Sequence, residues 1–375
     1  MSPSSLLVVA GEASGDQHGA RLLAELRALV PDLDCFGLGG DEMHEQGLAS
    51  VAHSREIAVV GISEALKVVA RARRILRALL AETERRRPAA ALLIDSPGFN
   101  LHLARRLRRR GVPVIYYVSP QIWAWRMGRV RSIARRVRKM LVLFAFEEEI
   151  YRRQGVPVRH VGHPLVDEVP RLDHVLEDGT ARPPRIALLP GSRESEVRAL
   201  LGAMLGALER VQLERPLEVV LIEAPTLPRG LLDQLLAGTT LRLQRIREGR
   251  LAALASCHLA LCASGTATLE VGLVGTPMIV LYRVSLVTSL LGRLLLRVPN
   301  IGLVNLVLGR EVAPELVQRD VHPERIRRLV ERLLDDRASL LAMRRSLEPL
   351  RELLGEAGAS RRAAEEVAAI LAEAA

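Results

Sequence analysis

The chain reads as an α/β protein, two Rossmann-like doubly wound domains facing each other across a cleft. Three observations predict this fold class. Short apolar runs alternate with longer segments of helical period, the rhythm of parallel sheets covered by helices. The 375 residues exceed the ~250–300 at which single cores tend to split. A polar, proline-rich stretch without period, Pro170 to Pro184, interrupts the rhythm near the middle. It predicts a first domain over residues 1–172 and a second over 173–375, with a terminal helix that packs back on the first.

In the first domain, strands are expected at Leu6 to Ala10, Ala91 to Ile94, Val114 to Val118 and Met140 to Phe144. Helices are expected at Asp16 to Val30, Ile62 to Arg87, Asn100 to Arg110 and Met127 to Arg138, where apolar residues recur every three or four positions. The second domain repeats the scheme. Its strands fall at Ile186 to Leu189, Val219 to Ile222, Leu259 to Cys262 and Met278 to Tyr282. Helices start near Ser195, Gly230, Gly249 and Thr266, and the chain closes with helical stretches at Pro323 to Leu334, Ala338 to Leu354 and Ser360 to Ala374.

Composition narrows the function classes. Hydrophobic residues make up 49% and charged residues 26%, a folded and soluble balance that excludes disorder. Cys35, Cys257 and Cys262 are widely spaced and lack CxxC or Cys/His ligand spacing, which argues against a disulfide framework or a zinc site. The start, Met1 to Ser5, has no basic segment or cleavage site of an export signal. No uncharged apolar run reaches the ~18 residues of a membrane span. The expected location is therefore the cytoplasm, with any membrane contact peripheral. Net charge is +10, and all but two of the 53 cationic residues are arginine. Twelve cationic residues and no acid lie between Ser96 and Phe146, a field that attracts phosphates. The region has no RNP pattern, zinc-finger spacing or interleaved aromatics, so no nucleic-acid partner is expected.

In open α/β sheets, ligands bind beyond the carboxyl ends of the strands. After Leu259 to Cys262 comes Ser264-Gly265-Thr266-Ala267-Thr268-Leu269-Glu270, a turn into a helix whose free N–H groups and dipole suit a diphosphate. Ser-Gly-Thr also serves as an ordinary N-cap. Glu270 falls about one turn (~3.6 residues) beyond Thr266, placed to accept from ribose hydroxyls. Pro190-Gly191-Ser192-Arg193 brings an arginine that compensates charge on a departing diphosphate. Tyr282, Arg283 and Asn305 complete that rim.

In the first half, Gly11-Glu12-Ala13-Ser14-Gly15-Asp16 is a glycine-bracketed turn that brings Glu12 and Ser14 close to a ligand, without the GxGxxG spacing of a dinucleotide site. Asp95-Ser96-Pro97-Gly98 sets a carboxylate rigidly at a strand end, as a general base requires, and as a turn or capping residue also does. Trp123, Trp125, Arg126 and Arg129 combine aromatic surface with cations, which suits a phosphorylated sugar or acyl group. His163 reads as a structural hydrogen-bonding residue. Asp32-Leu33-Asp34 precedes a strand instead of ending one, so no metal site is assigned.

Together GEASGD, GLGGDEM, IDSPGFN, YYVSPQIWAWR, GHPLVD, LLPGSRESEV, ASGTATLE and PNIGLVN resemble the lipid-A-disaccharide synthase family in content and order, from about Leu6 to Val321. The resemblance implies a GT-B fold and an inverting glycosyltransferase without cofactor or metal. It would join UDP-2,3-diacylglucosamine to 2,3-diacylglucosamine 1-phosphate (lipid X), releasing UDP and the β-1,6-linked disaccharide. Asp95 would be the base, and Arg193, Ser264, Gly265, Thr266 and Glu270 would hold UDP. Asp41 stands where proline is more usual, Gly98 where a second aspartate is common, and Val60 to Glu64 is looser than the family pattern. The implied setting is the inner-membrane surface, and a homodimer is compatible with it. Ile57 to Ile62 with the following Lys67, Arg71, Arg73 and Arg74, and Leu286 to Leu296, are the candidate interfacial segments, with core packing as the other reading. Another UDP-sugar enzyme of the same fold, an epimerase or a peptidoglycan transferase, and a non-catalytic binder of anionic lipid or nucleic acid are the alternatives.

Overall fold

The computed structural model describes residues 5–56, 65–120, 130–173, 183–284 and 300–374. The chain divides into two compact units, Met1–Pro164 with Leu354–Ala375, and Leu165–Leu353. The division thus falls before the proline-rich segment, and the last residues join the first unit where the sequence reading gave 173–375 to the second. The physical reason lies in the terminal helix Ala359–Ala374. Its apolar face, Ala359, Ala363, Ala364, Val367, Ile370 and Leu371, is buried, and it packs against the helix Ala13–Leu29. Glu366 on that face is matched by Lys139 at 2.6 Å and by Arg159.

The first unit holds a seven-stranded parallel sheet. Its strands are β1 (Ser5–Ala10), β2 (Asp34–Gly39), β3 (Ala49–His53), β4 (Ala90–Ile94), β5 (Val114–Tyr117), β6 (Lys139–Val142) and β7 (Val158–His160). Their order is β3-β2-β1-β4-β5-β6-β7. The near-continuous apolar runs of β1 and β4 are fully buried, as strands covered on both faces must be. Leu7, Val9, Leu93 and Tyr116 from the sheet meet Leu79, Leu103 and Leu107 from the covering helices in one core. Three strands were not read from sequence. β2 carries two glycines, and Gly37 is required because a Cβ there would lie 2.0 Å from the Val8 carbonyl oxygen. β3 is half-exposed and β7 has only three residues.

The second unit holds a six-stranded parallel sheet of β8 (Arg185–Leu189), β9 (Glu218–Ile222), β10 (Leu243–Ile246), β11 (Leu259–Ala263), β12 (Met278–Tyr282) and β13 (Glu315–Val317). Their order is β10-β9-β8-β11-β12-β13. The helix Glu194–Glu214 buries Val197, Leu200, Leu201, Met204, Leu208 and Val211, a three-and-four spacing that faces the sheet. Each such leucine contributes roughly 1.5–3 kcal/mol by burial. β10 and β13 escaped the sequence reading, β10 because Gln244 and Arg245 break its apolar run, β13 because it is three residues long.

Candidate active site

In both units the chain reverses direction of travel across the sheet at one place, between β1 and β4 in the first and between β8 and β11 in the second. In sheets of this kind, ligands bind beyond the carboxyl ends of the strands at such a point. Of the described residues that the sequence assigned to ligand binding or catalysis, all but Tyr282, Arg283 and Asn305 follow the strands that flank these two points, the crests of the two sheets.

On the first crest, Ala10 pairs with Ile94, so the Gly11 turn and Asp95 are neighbours. Asp95 and Ser96 both adopt left-handed backbone, φ 49° and 44°, and Val118 after the adjacent strand β5 does the same at 63°. Such conformations cost about 1–3 kcal/mol each in non-glycine residues and gather at functional sites. The surroundings over-determine the turn. The Asp95 N–H donates to Tyr117 O at 3.0 Å, and its carbonyl accepts from the Tyr116 hydroxyl at 2.6 Å and Asn100 Nδ2 at 2.8 Å. Asn100 is wholly buried and also donates to Ile94 O at 3.0 Å. The backbone of Asp95 is thereby fixed just beyond the carboxyl end of β4, and the residue is half-buried. Gly11 makes room for this turn, since a Cβ there would lie 2.7 Å from Ser96 Oγ. Glu12 and Ser14, in the first turn of the neighbouring helix, are exposed on the same crest.

Asp16 caps a helix other than the one on which it lies. Its carboxylate accepts from the N–H groups of Gly40 (2.6 Å), Glu42 (3.1 Å) and Met43 (3.3 Å), closing the start of the helix Asp41–Glu45. His163 is buried, its ring stacks at a tilt 5.5 Å from Phe144, and its N–H donates to Leu354 O at 2.8 Å. Burial, then the charges of His18 and Arg21, lower its pKa to about 3, so it is neutral. Trp123, Trp125, Arg126 and Arg129, together with residues 57–62 and 286–296, lie outside the described residues.

On the second crest, the N–H groups of Gly265, Thr266 and Ala267 have no partner among the described residues. Gly265 sits at φ 150° and ψ −162°, a conformation open only to glycine. Ser264 is anchored by its N–H to Leu281 O at 2.9 Å and by its hydroxyl to Ile301 O at 3.0 Å. Three donors without such partners thus stand at the start of the nine-residue helix Thr266–Val274, the arrangement with which helix N-termini bind anions. Glu270, on the same helix, has a side chain only 13% exposed and is paired with Arg250, Nε to Oε1 2.7 Å. Burial raises its carboxyl above the ordinary range and Arg250 works against that rise.

The loop after β8 is built differently. Glu196 folds back so that Oε2 accepts from the N–H groups of Ser192 (3.1 Å) and Arg193 (3.4 Å), and a Cβ on Gly191 would lie 2.5 Å from that oxygen. The backbone donors are occupied, and what this loop presents is the Arg193 guanidinium, 70% exposed. Tyr282 is half-buried, its phenol raised by desolvation and by Glu196, and Arg283 beside it is exposed. Asn305 corrects the sequence expectation. Its amide donates to Ala313 O (2.7 Å) and Glu315 Oε1 (2.8 Å), and its oxygen accepts from Val312 (2.8 Å) and Ala313 (2.9 Å). Buried with every hydrogen-bonding position used, it shapes the 311–315 loop and has nothing left for a nucleotide. Asn100, Glu196 and Arg250 were missed in sequence because their contacts are set by the fold.

Among solved structures, the chain is similar to MurG of Acinetobacter baumannii, with TM-score 0.60, 15% identity and coverage of 98% of this chain and 100% of that one. It is likewise similar to the S. aureus MnaA–UDP co-structure, with TM-score 0.65, 12% identity and coverage of 98% and 97%. The two parallel-sheet α/β units have the architecture of GT-B glycosyltransferases. The profile of the family described as Lipid-A-disaccharide synthetase matches residues 6–369. The Myxococcus xanthus lipid-A-disaccharide synthase is 46% identical over 99% of this chain and 98% of that one. The enzyme of that name from Geobacter sulfurreducens is 42% identical over 96% and 95%. The chain belongs to the lipid-A-disaccharide synthase family. It is a glycosyltransferase that condenses UDP-2,3-diacylglucosamine with 2,3-diacylglucosamine 1-phosphate to the lipid A disaccharide, releasing UDP. The epimerase, peptidoglycan-transferase and pure-binder readings are not favoured. Among the described residues, no helix is long and apolar enough to cross a membrane.

Proposed function

We propose that Asp95 is the general base of this transfer and that the 264–270 segment holds the leaving nucleotide. The observation that carries the reading is the pair of switch-point crests, one bearing a carboxylate on a strained, over-determined turn, the other an open three-donor cradle. The 6-hydroxyl oxygen of lipid X attacks the anomeric carbon from the face opposite UDP and inverts it. As that bond forms, the hydroxyl proton passes to the Asp95 carboxylate, and the breaking bond leaves its electron pair on the β-phosphate oxygen. The acidity of the alcohol develops only in the transition state, so an ordinary ionised carboxylate suffices. The Gly265, Thr266 and Ala267 N–H groups and Arg193 offset the charge gathering on UDP, Ser264 anchors the turn that presents those groups, and Glu270 accepts from the ribose. Gly191 and Ser192 shape the Arg193 loop, and Tyr282 and Arg283 border the cradle.

Donors enough for a diphosphate come from the chain itself, so the proposed route uses no metal. Glu12, Ser14, Trp123, Trp125, Arg126 and Arg129 are assigned to the acceptor, and the enzyme to the cytoplasmic face of the inner membrane as a peripheral protein. The test is incubation of purified protein with both lipid precursors, with mass detection of disaccharide and UDP, with and without EDTA. Equal yields in both arms are expected. Loss of turnover on chelation would remove the metal-free route.

A further inference from the structure

The ion pair between Arg250 and Glu270 has no part in the chemistry described so far. Arg250 opens the helix Arg250–Ala255, directly after Gly249, whose left-handed backbone (φ 68°, ψ 24°) turns the chain at that point. Its Nε lies 2.7 Å from Glu270 Oε1. The Glu270 side chain is 13% exposed and the Arg250 side chain 43%, so the guanidinium keeps donors that face solvent.

Glu270 occupies an unfavourable place for a carboxylate. Burial pushes its pKa up, and the charge of Glu168 pushes in the same direction. A carboxyl that took up a proton would lose acceptor capacity, and a glutamate on a helix has three rotatable bonds to explore. Arg250 opposes both effects. It supplies the positive charge that keeps the carboxylate ionised, and it fixes one oxygen so that the other has a defined direction.

We propose that Arg250 is a positioning residue that orients Glu270 for the donor ribose and thereby makes the enzyme discriminate ribonucleotides from deoxyribonucleotides. This rests on the reading above in which Glu270 accepts from the ribose. A vicinal diol offers donors and acceptors side by side. The carboxylate that Arg250 fixes presents a complementary set of acceptors, since its oxygens keep lone pairs beyond the ion pair. A 2′-deoxy sugar leaves one member of that set unmatched inside a desolvated site, which is where discrimination is largest.

The experiment measures binding of UDP and of 2′-deoxy-UDP to the full-length wild type, Arg250→Ala, Arg250→Lys and Glu270→Gln, with melting temperatures and steady-state kinetics for each. The wild type should favour UDP by roughly tenfold or more, as expected for a hydrogen bond to a charged group. Arg250→Ala should collapse that ratio and raise KM for the UDP-sugar about tenfold while kcat stays within about twofold. Arg250→Lys, which keeps the charge but not the fork, should recover part of the ratio and serves as the probe if the alanine variant folds poorly. A lower melting temperature in Arg250→Ala with the ratio unchanged overturns the proposal, because the pair is then only a brace between two helices. A ratio that survives in Glu270→Gln overturns instead the assignment of Glu270 to ribose, so the two failures are told apart.

Discussion

The main chain of Asp95 is pinned on both sides, and a rigid backbone is what a general base needs. Tyr116, Asn100 and the Tyr117 carbonyl secure the main chain in a conformation that a non-glycine residue adopts at a cost of about 1–3 kcal/mol. Replacing Asp95 by Asn keeps shape and hydrogen-bonding size but removes the proton acceptor. We expect kcat to fall by about 10²–10⁴, with UDP affinity within about twofold, read by single-turnover kinetics and calorimetry. Retention of full kcat would reassign the base. The place of Asp95 at a strand end before a turn was legible in the sequence, since an apolar run stops there and Ser-Pro-Gly follows. The cradle at Ser264 to Thr266 was legible for the same kind of reason. Asn305 was not, since the motif shows a polar side chain and only the fold shows that the 311–315 loop consumes it. Arg250 was invisible because its partner lies 20 positions on, across a helix boundary.

At the scale of elements, the strands that sequence revealed are the continuous apolar runs, and those it hid are stabilised by neighbours instead of by their own pattern. β2 is the clearest case, its glycines being set by contact with β1 and not by a periodic face. The short helix Asp41–Glu45 depends likewise on a distant residue. Five residues cannot sustain a helix alone, and Asp16 satisfies three of its N-terminal donors. Asp16→Ala should leave those N–H groups buried and unmatched, at a cost of about 1–3 kcal/mol. The thermal transition should shift down accordingly, with Asp16→Asn recovering part because its amide oxygen still accepts. A melting temperature unchanged in Asp16→Ala would show the cap to be dispensable.

Over the whole molecule, stability has a pH dependence of definite sign. His18 is lowered to about 4, by burial and then Arg21, and His163 to about 3. In the unfolded chain both titrate near 6.5, so between roughly 6.5 and 4 the unfolded state binds more protons. Their contribution is present above that window and is lost as pH falls through it, by at most ~1.4 kcal/mol per pH unit for each group. Melting temperature should therefore drop on acidification, and His163→Gln should flatten the slope; an unaltered slope would exonerate this histidine.

The division of the chain makes the final prediction. Leu165–Leu353 is continuous in sequence and carries its own sheet and core, whereas the first unit is completed only by Leu354–Ala375. A fragment of residues 165–353 should fold cooperatively and bind UDP, because the cradle and Glu270 lie within it. It should release no disaccharide, because Asp95 lies outside. A fragment of residues 1–164 should melt well below one to which residues 354–375 are rejoined, because without them the face of Ala13–Leu29 that the terminal helix covers is left in water. Equal melting of these two forms would mean that the terminal helix contributes little to the first unit. Loss of UDP binding by the 165–353 fragment would mean that the nucleotide needs groups from the other unit.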